Sequence, residues 1–214
     1  MSVQVVYKNK GKSSNSGVIT LFANELFQLK KPISFLSNNH NSYVHKILKN
    51  KKNNKEKIIS FNIDEKITII VISLKKDLNG YGIENLGASF FNFIKKNSFK
   101  EISIICDSIN SKEGMDFMGS FIHGLKLKSY EFNLYKSKKT KKVISINVIG
   151  SHNKISKQDQ LRFKALEEGT FFARDLVSEP GNILHPDEYA KRINSLKKFG
   201  LKVNIYDEKK LKKL

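Results

Sequence analysis

Apolar residues along the first 150 positions follow two different periods, and the two periods alternate along the chain. Six short runs rich in β-branched residues are typical of strands, and they cover residues 3–7, 18–22, 58–63, 67–74, 101–106 and 143–149. Apolar positions recur at helical spacing in two intervening stretches, from Ile83 to a helix end near Lys96 and from Met115 to Leu125. Strands that alternate with helices predict an α/β sheet with helices on its faces.

The run at residues 67–74 is apolar at nearly every position, which predicts a central strand covered on both faces. Asp64, Glu65 and Lys66 connect it to the preceding run, and this short polar connection predicts a hairpin. Two further polar stretches, residues 8–17 and the basic segment 129–142, are predicted to be loops.

The last third of the chain begins after a polar stretch at residues 150–157. An apolar stripe then predicts a connecting helix that Pro180 ends, and its members are Leu161, Ala165, Phe172 and Leu176. Pro186 at the first position and Gly200 beyond the end delimit the next helix. Residues 201–205 alternate as a strand does, and Asp207 begins a last predicted helix.

These elements predict three parts of the chain. Residues 1–150 form an α/β domain, residues 151–182 a connecting segment and helix, and residues 183–214 the opening helix, strand and helix of a second α/β domain. Because so short a series of elements cannot bury a core of its own, we expect the second domain to be incomplete in these 214 residues.

Composition indicates a globular protein without a membrane anchor. The longest apolar stretch, residues 67–74, is too short to cross a bilayer, and the first residues lack the apolar segment of a secretion signal. Cys106 is the single cysteine, which excludes an internal disulfide and suits a reducing compartment. We therefore expect a cytoplasmic protein.

The chain is strongly basic, with 39 Lys and Arg residues against 20 Asp and Glu residues. Such a charge is compatible with nucleic-acid binding. However, the cations are almost all lysines, and the lysine-rich segments 46–57 and 136–142 have no interleaved aromatic residues for base stacking. We interpret these segments as solvated loops and the charge as compositional drift, with nucleic acid as an unlikely partner.

Four acidic pairs are the first candidates for metal-binding carboxylates: Asp64-Glu65, Glu167-Glu168, Asp187-Glu188 and Asp207-Glu208. The last two pairs begin predicted helices, where negative side chains complement the helix dipole. The first pair lies in the predicted hairpin turn and the second on a helix face. None of them is interpreted as a metal site.

The histidines and the cysteine form no recognisable site in the sequence. His40 and His45 are five positions apart, whereas zinc-binding pairs on a helix are four apart, and the other histidines stand alone: His123, His152 and His185. Cys106 lies in an apolar run, which favours a buried side chain over a nucleophile. The segment 79–82, Asn-Gly-Tyr-Gly, is compatible with an anion site at a helix start or with an ordinary turn.

Residues 162–193, RFKALEEGTFFARDLVSEPGNILHPDEYAKRI, resemble the segment by which leucyl aminopeptidases leave their N-terminal domain and enter their catalytic domain. A second block, residues 124–138, is similar to a stretch late in that N-terminal domain, and the two blocks occur in the family's order and spacing. The similarity extends over residues 115–214. Ser178 stands where the family usually has Asn, and His185, a weaker N-cap, stands where it usually has Thr.

The resemblance implies a macro-domain-like α/β fold for the first part of the chain and a two-metal exopeptidase for the complete protein. In the family, a second domain holds two divalent metals, zinc or manganese, which activate water for attack on the peptide bond of the substrate. Members assemble as hexamers. Because the family's ligand motifs do not occur in these residues, we expect no catalytic residue, no metal ligand and no bound cofactor here.

Arg174 and Asp175 are the polar pair within the resembling block, and we interpret them as an interdomain or oligomer contact. The leading interpretation is a structural, assembly-directing N-terminal part of a leucyl aminopeptidase that acts on peptides. Two alternatives stay open: a stand-alone macro-like binding module, and a basic protein associated with nucleic acid, whose binding would depend steeply on salt.

Overall fold

The computed structural model describes residues 2–8, 17–34, 36–51, 56–109, 117–137, 143–150 and 155–213. The chain divides into two compact units, Met1–Glu167 and Glu168–Leu214. Several sequence predictions fall outside the described residues: most of the turn at 8–17, Met115, the end of the basic segment at 138–142, the stretch 151–154 with His152, and Leu214. No described helix is long and apolar enough to cross a membrane.

A six-stranded sheet organises the first unit, in the order β1-β6-β5-β2-β4-β3. The strands are β1 (Ser2–Lys8), β2 (Gly17–Asn24), β3 (Ile58–Asn62), β4 (Ile67–Leu74), β5 (Glu101–Ile105) and β6 (Val143–Ile149). Neighbours pair in parallel except β3 and β4, which are antiparallel. The six predicted strands are therefore confirmed, and no strand end differs from its predicted position by more than two residues.

The hairpin between β3 and β4 is also confirmed. The Asp64 carboxylate accepts hydrogen bonds from the backbone N–H groups of Lys66 and Ile67, both at 2.7 Å, and so closes the turn. The β4 side chains then alternate between two cores, with Ile70 in one and Ile69 in the other. Because both faces of β4 are buried, an apolar residue is required at nearly every position, as the sequence indicated.

Three described α-helices lie wholly within this unit: α1 (Asn38–Lys49), α2 (Gly80–Lys96) and α3 (Phe117–Ser129). Helices α2 and α3 were predicted. Helix α1 was not, because its sequence is polar and only Val44 and Leu48 are its buried apolar residues. The basic segment 46–57 is consequently not a loop throughout, since it begins within the last turn of α1; the lack of an apolar stripe concealed this helix.

Asn41 joins α1 to the loop before it. Its side-chain oxygen accepts a hydrogen bond from the Ile33 N–H at 2.8 Å, and its amide nitrogen donates to the carbonyl oxygens of Ile33 and Leu36. Ser37 caps the helix by accepting from the His40 N–H. A buried amide whose atoms are all hydrogen-bonded can thus replace an apolar anchor for this helix.

Helices α2 and α3 pack with their backbones in direct contact. A Cβ atom on Gly87 would lie 1.9 Å from the Phe121 carbonyl oxygen, and one on Gly124 would lie 2.0 Å from the Glu84 carbonyl oxygen. No side chain fits in either place. The two glycines therefore allow a close helix crossing, around which Phe90 and Phe121 pack in the core.

The second unit contains helices without a sheet among its described residues. Helix α4 (Lys157–Ser178) begins in the first unit and continues into the second, where α5 (Pro186–Asn194), a 3-10 turn (Ser195–Phe199) and α6 (Glu208–Leu211) follow. Pro186 occupies the first turn of α5, and Gly200 ends the 3-10 turn with a φ of 85°. These limits agree with the positions of Pro186 and Gly200, which delimited the helix predicted from the sequence.

The predicted strand at residues 201–205 is wrong. These residues have no regular secondary structure. A strand is stabilised by backbone hydrogen bonds to a neighbour, and the described part of Glu168–Leu214 contains no other strand. The alternating pattern of residues 201–205 is thus insufficient without a partner.

We predict that Gly124→Ala destabilises the first unit by about 3 kcal/mol, because the added methyl group forces α3 away from α2. The matched control is Gly169→Ala on α4, where an added Cβ atom would meet no other atom within 4 Å. Because alanine has a higher helix propensity than glycine, this substitution should stabilise the helix by about 1 kcal/mol. Urea unfolding followed by circular dichroism measures both variants. Equal effects at the two positions would contradict the close helix crossing.

Candidate functional site

The acidic pairs singled out in the sequence have structural roles. Asp64 closes the hairpin turn, Glu167 on α4 pairs with Lys126 on α3, and Asp207 caps α6 by accepting from the Lys210 N–H. Asp187 and Glu188 lie in the first turn of α5. Within the described ranges, no three His, Cys, Asp or Glu residues are placed to hold a metal ion. The described residues therefore do not fit the two-metal centre that the resemblance implies for the complete protein.

The described histidines belong to no group that could hold a metal ion. His40 lies 3.8 Å from the Asp64 carboxylate, His45 is on the same helix, and His185 occupies the N-cap of α5 without a side-chain hydrogen bond to it. His123 is buried in α3. Cys106 is fully buried in a 3-10 turn directly after β5, as the apolar run predicted.

The segment 79–82 is a helix cap. The Asn79 side-chain oxygen accepts a hydrogen bond from the Gly82 N–H at 2.8 Å, and this bond occupies one of the donors that an anion at the helix start would need. Of the two interpretations of this segment, the geometry favours the turn.

One cavity, of about 590 Å³, opens at the carboxyl ends of β2 and β4. In open parallel sheets this edge is where ligands bind. The polar groups here already bond to each other: the Ser108 hydroxyl accepts from the Phe22 N–H and donates to the Ile105 carbonyl oxygen, while the Asn24 side chain accepts from the Leu26 N–H. No glycine lines the cavity. A phosphate cradle of the Gly-rich type is thus not formed by its described walls.

A second cavity, of about 460 Å³, lies within the first unit between β1, α3 and the first half of α4. Its walls are mostly apolar. The residues that give it chemical character are Tyr7, His123, Lys126, Phe163, Lys164 and Glu167. They come from three elements far apart in the sequence, so no local motif could have indicated the cavity.

His123 is the buried polar group of this cavity. The residue is 7% exposed, and its Nδ1 atom has no hydrogen-bond partner in the part of the chain that the structure describes. Its ring lies 5.3 Å from the ring of Phe163 on α4. Burial lowers the pKa of His123 from its ordinary value, so the imidazole is neutral at pH 7.

Gly119 allows Phe163 to reach this position. A Cβ atom at Gly119 would lie 2.3 Å from the Phe163 ring. Lys126 and Glu167 form an ion pair at 3.0 Å that joins α3 to α4 beside the same cavity. Burial, aided by the nearby Cys106 and Glu167, raises the pKa of Tyr7 to about 12, so its hydroxyl remains protonated.

Arg192 organises the second unit. Its Nη1 atom donates to Glu179 Oε1 at 2.8 Å and its Nε atom to Glu188 Oε1 at 3.1 Å. The Glu179 side chain is only 1% exposed, and it lies just beyond the end of α4. The Arg192 hydrogen bond lowers the pKa of Glu188, and the two carboxylates raise the pKa of Arg192, with Glu179 the larger cause. The Glu179–Arg192–Glu188 cluster thus links the α4–α5 connection to α5 through hydrogen-bonded ion pairs.

Sequence reasoning missed the Arg192 cluster. The four-residue spacing of Glu188 and Arg192 was a signal for a helical ion pair, but nothing local pointed to Glu179, thirteen residues away. Arg174 and Asp175, the pair singled out instead, lie in the last two turns of α4, with Arg174 half-buried and Asp175 exposed.

Curated relatives share sequence with more than half of the chain. A probable cytosol aminopeptidase from Clostridium perfringens is 34% identical over 130 residues, which is 58% of this chain and 26% of that protein. One from Rhizobium rhizogenes is 27% identical over 158 residues, 70% of this chain and 31% of that protein. The matches thus span about a quarter to a third of the relatives' length. No protein-family model matches the sequence.

Solved structures share the fold over nearly the whole chain. A mutant of tomato leucine aminopeptidase has a TM-score of 0.73 at 16% identity and covers 99% of this chain and 46% of its own. The bottromycin maturation enzyme BotP in complex with Mn has a TM-score of 0.64 at 13% identity, covering 92% of this chain and 40% of its own. The chain is thus similar in sequence to cytosol aminopeptidases over more than half of its length, and it shares the fold of the corresponding part of a leucine aminopeptidase.

Proposed function

We propose that this chain is the N-terminal part of a leucyl aminopeptidase and that its role is structural and assembly-directing. One observation carries the proposal. The chain shares the fold of a leucine aminopeptidase over 99% of its length but covers only 46% of that enzyme, and its described residues contain no cluster that could hold a metal. Removal of N-terminal amino acids from peptides then depends on a catalytic domain beyond these 214 residues.

The catalytic domain of the complete protein would carry two divalent metals, zinc or manganese. The manganese complex of the structural neighbour BotP supports metal use of this kind. Such ions act as Lewis acids and activate a water molecule for peptide hydrolysis. No residue described in this chain is assigned to that step. The enzyme is proposed to act in the cytoplasm, in line with the names of its curated relatives.

The three parts predicted from the sequence receive roles under this proposal. Residues 1–150 form the outer macro-like domain. Residues 151–182 connect this domain to the catalytic domain, which begins with residues 183–214. Support comes from the apolar side chains that the second unit leaves exposed, among them Phe199, Leu201, Tyr206 and Leu211. A surface of this kind requires a covering partner, and the rest of a catalytic domain supplies one.

We also propose that Arg174 and Asp175 contact another domain or subunit and that the complete protein forms a homo-oligomer, a hexamer in the family. A charged pair near the end of a long connecting helix is suited to such a contact, because a planar guanidinium forms directional hydrogen bonds to carboxylates and carbonyl groups. The strongly basic composition supports no second function, since no described feature resembles a base-stacking or groove-reading surface.

The first test compares mass and activity. We predict that the native polypeptide in its source cell has about twice the 24.5 kDa of these 214 residues, because the chain covers 46% of tomato leucine aminopeptidase. The isolated 214-residue chain should not cleave leucine p-nitroanilide with either Mn²⁺ or Zn²⁺ present. Intact-mass spectrometry and a chromogenic assay measure the two outcomes. Metal-dependent cleavage by the isolated chain would overturn the proposal.

The second test concerns the order of the second unit. Arg192→Met should increase amide hydrogen exchange in residues 179–194, because the buried Glu179 carboxylate loses its cationic partner. It should also raise the pKa of Glu188 towards its ordinary value. In the wild-type chain this contact stabilises the fold above the ordinary carboxyl pKa and is lost as the pH falls through the lowered one.

The matched control for Arg192→Met is Lys191→Met on the same helix. Lys191 is 81% exposed and lies 3.7 Å from Glu188, so its removal should leave hydrogen exchange unchanged. NMR titration of the Glu188 carboxyl and exchange mass spectrometry distinguish the variants. Equal behaviour of the two would show that Arg192 is not the organising residue.

The third test addresses assembly of the complete protein. Arg174→Ala should shift the oligomer towards smaller species, as measured by sedimentation velocity. Arg162→Ala serves as the control, because Arg162 is on the same helix and its ion pair with Asp159, at 3.4 Å, is local. If Arg174→Ala leaves both assembly and thermal stability unchanged, the contact assigned to Arg174 is wrong.

A further inference from the structure

The first half of α4, residues 157–167, is attached to α3 by a small number of contacts. The structure describes α4 throughout, and none of its residues is buried. The Phe163 ring packs where Gly119 leaves room on α3, and one turn later Glu167 pairs with Lys126 at 3.0 Å. Helix α3, in contrast, has ten buried residues and a backbone contact with α2. Helix α4 is therefore attached more weakly than α3.

Phe163 lies against a buried imidazole. His123 follows Gly119 by one turn of α3, is 7% exposed, and has its ring centre 5.3 Å from that of Phe163. Its Nδ1 atom has no hydrogen-bond partner among the described residues. A protonated imidazole carries a proton on both nitrogens, so the charged form would place an N–H donor without an acceptor at this buried position. The attached state therefore favours the neutral imidazole.

Charged and titratable groups approach this imidazole from four elements. Glu84 on α2 and Glu167 on α4 favour its protonated form electrostatically, while Lys126 on α3 opposes it. The other groups line the same cavity or lie over the Phe163 ring: Tyr7 on β1, and Lys157, Arg162 and Lys164 on α4. None of these other groups carries a negative charge that would stabilise a protonated imidazole.

Burial decides the balance between these influences. It is the largest cause acting on His123, and it lowers the pKa of the imidazole from its ordinary value of 6.5. Release of Phe163 would expose the ring to water and restore the ordinary pKa. The attachment of α4 is therefore at full strength above pH 6.5, and it weakens as the pH falls from there towards the lowered pKa.

We propose that protonation of His123 promotes the release of residues 157–167 from α3, so that the attachment of α4 responds to acid. Because α4 is the helix by which the chain leaves the first unit, acid would loosen this connection while the sheet stays folded. All of the contacts involved lie within the first unit, so the inference does not rest on the proposed function of the chain.

Hydrogen-exchange mass spectrometry of the 214-residue chain tests the proposal at about pH 7.5 and about pH 5.0, with rates corrected for intrinsic exchange. Amide protection in residues 157–167 should fall about fivefold at the lower pH. Residues 80–96 of α2 provide the internal reference and should keep their protection. Unchanged protection in residues 157–167, or an equal loss in α2, would overturn the proposal.

Three variants identify the titrating group. His123→Phe keeps an aromatic ring against Phe163 but cannot be protonated, so protection of residues 157–167 should be the same at both pH values. His45→Phe, at an exposed position on α1, is the matched control and should keep the wild-type response. Glu167→Gln should keep a response that begins at lower pH, because Glu167 favours the charged imidazole.

Two results with these variants would contradict the proposal. A response that survives His123→Phe shows that another group titrates. A response that vanishes in Glu167→Gln, while the helix stays protected, assigns the titration to the carboxylate.

NMR titration of the His123 Cε1–H resonance gives a measurement on the wild-type chain that does not require His123→Phe to fold. Its midpoint should lie below 6.5, and the loss of protection in residues 157–167 should occur between pH 6.5 and that midpoint. A midpoint at or above 6.5 would show that the attached state does not disfavour the charged imidazole, and the proposal would be wrong.

Discussion

The close contact between the α2 and α3 backbones is the constraint on which the rest of the first unit depends. Gly87 and Gly124 bring the two helices together without intervening side chains. This crossing fixes the position of α3, whose other side then receives Phe163 from α4 through the gap left by Gly119. The cavity near His123 is thus a consequence of packing that begins on the opposite side of the same helix.

The second unit is held together by a different kind of interaction. It has no fully buried residue in α4 or α5 and no described sheet, so apolar burial contributes little to its order. Arg192 instead connects the buried Glu179 carboxylate to α5 through charge-assisted hydrogen bonds, which are roughly twice as strong as neutral ones. A polar cluster of this kind defines a conformation while leaving apolar surface available to a larger neighbour.

Much of the first unit could be predicted from the sequence, because period and turn chemistry are local properties. The β3–β4 hairpin followed from Asp64 and its neighbours, and the burial of β4 on both faces followed from its unbroken apolar run. Helix α1 escaped prediction because Asn41 anchors it with hydrogen bonds, which leave no periodic signal. The strand at residues 201–205 was predicted wrongly because a strand also requires a neighbour. The cavity and the Arg192–Glu179 contact join distant positions, so only the folded chain reveals them.

The complete burial of Cys106 has a practical consequence for experiments on this protein. The side chain is 0% exposed and is the only thiol in the chain. Thiol reagents act on exposed thiolates, so the folded protein should resist alkylation and form no intermolecular disulfide in air without a reductant. A cysteine introduced on the surface would then accept a fluorophore or spin label at that position alone. The native thiol would become reactive only in molecules whose β5 region has opened, which makes it an internal reporter of unfolding.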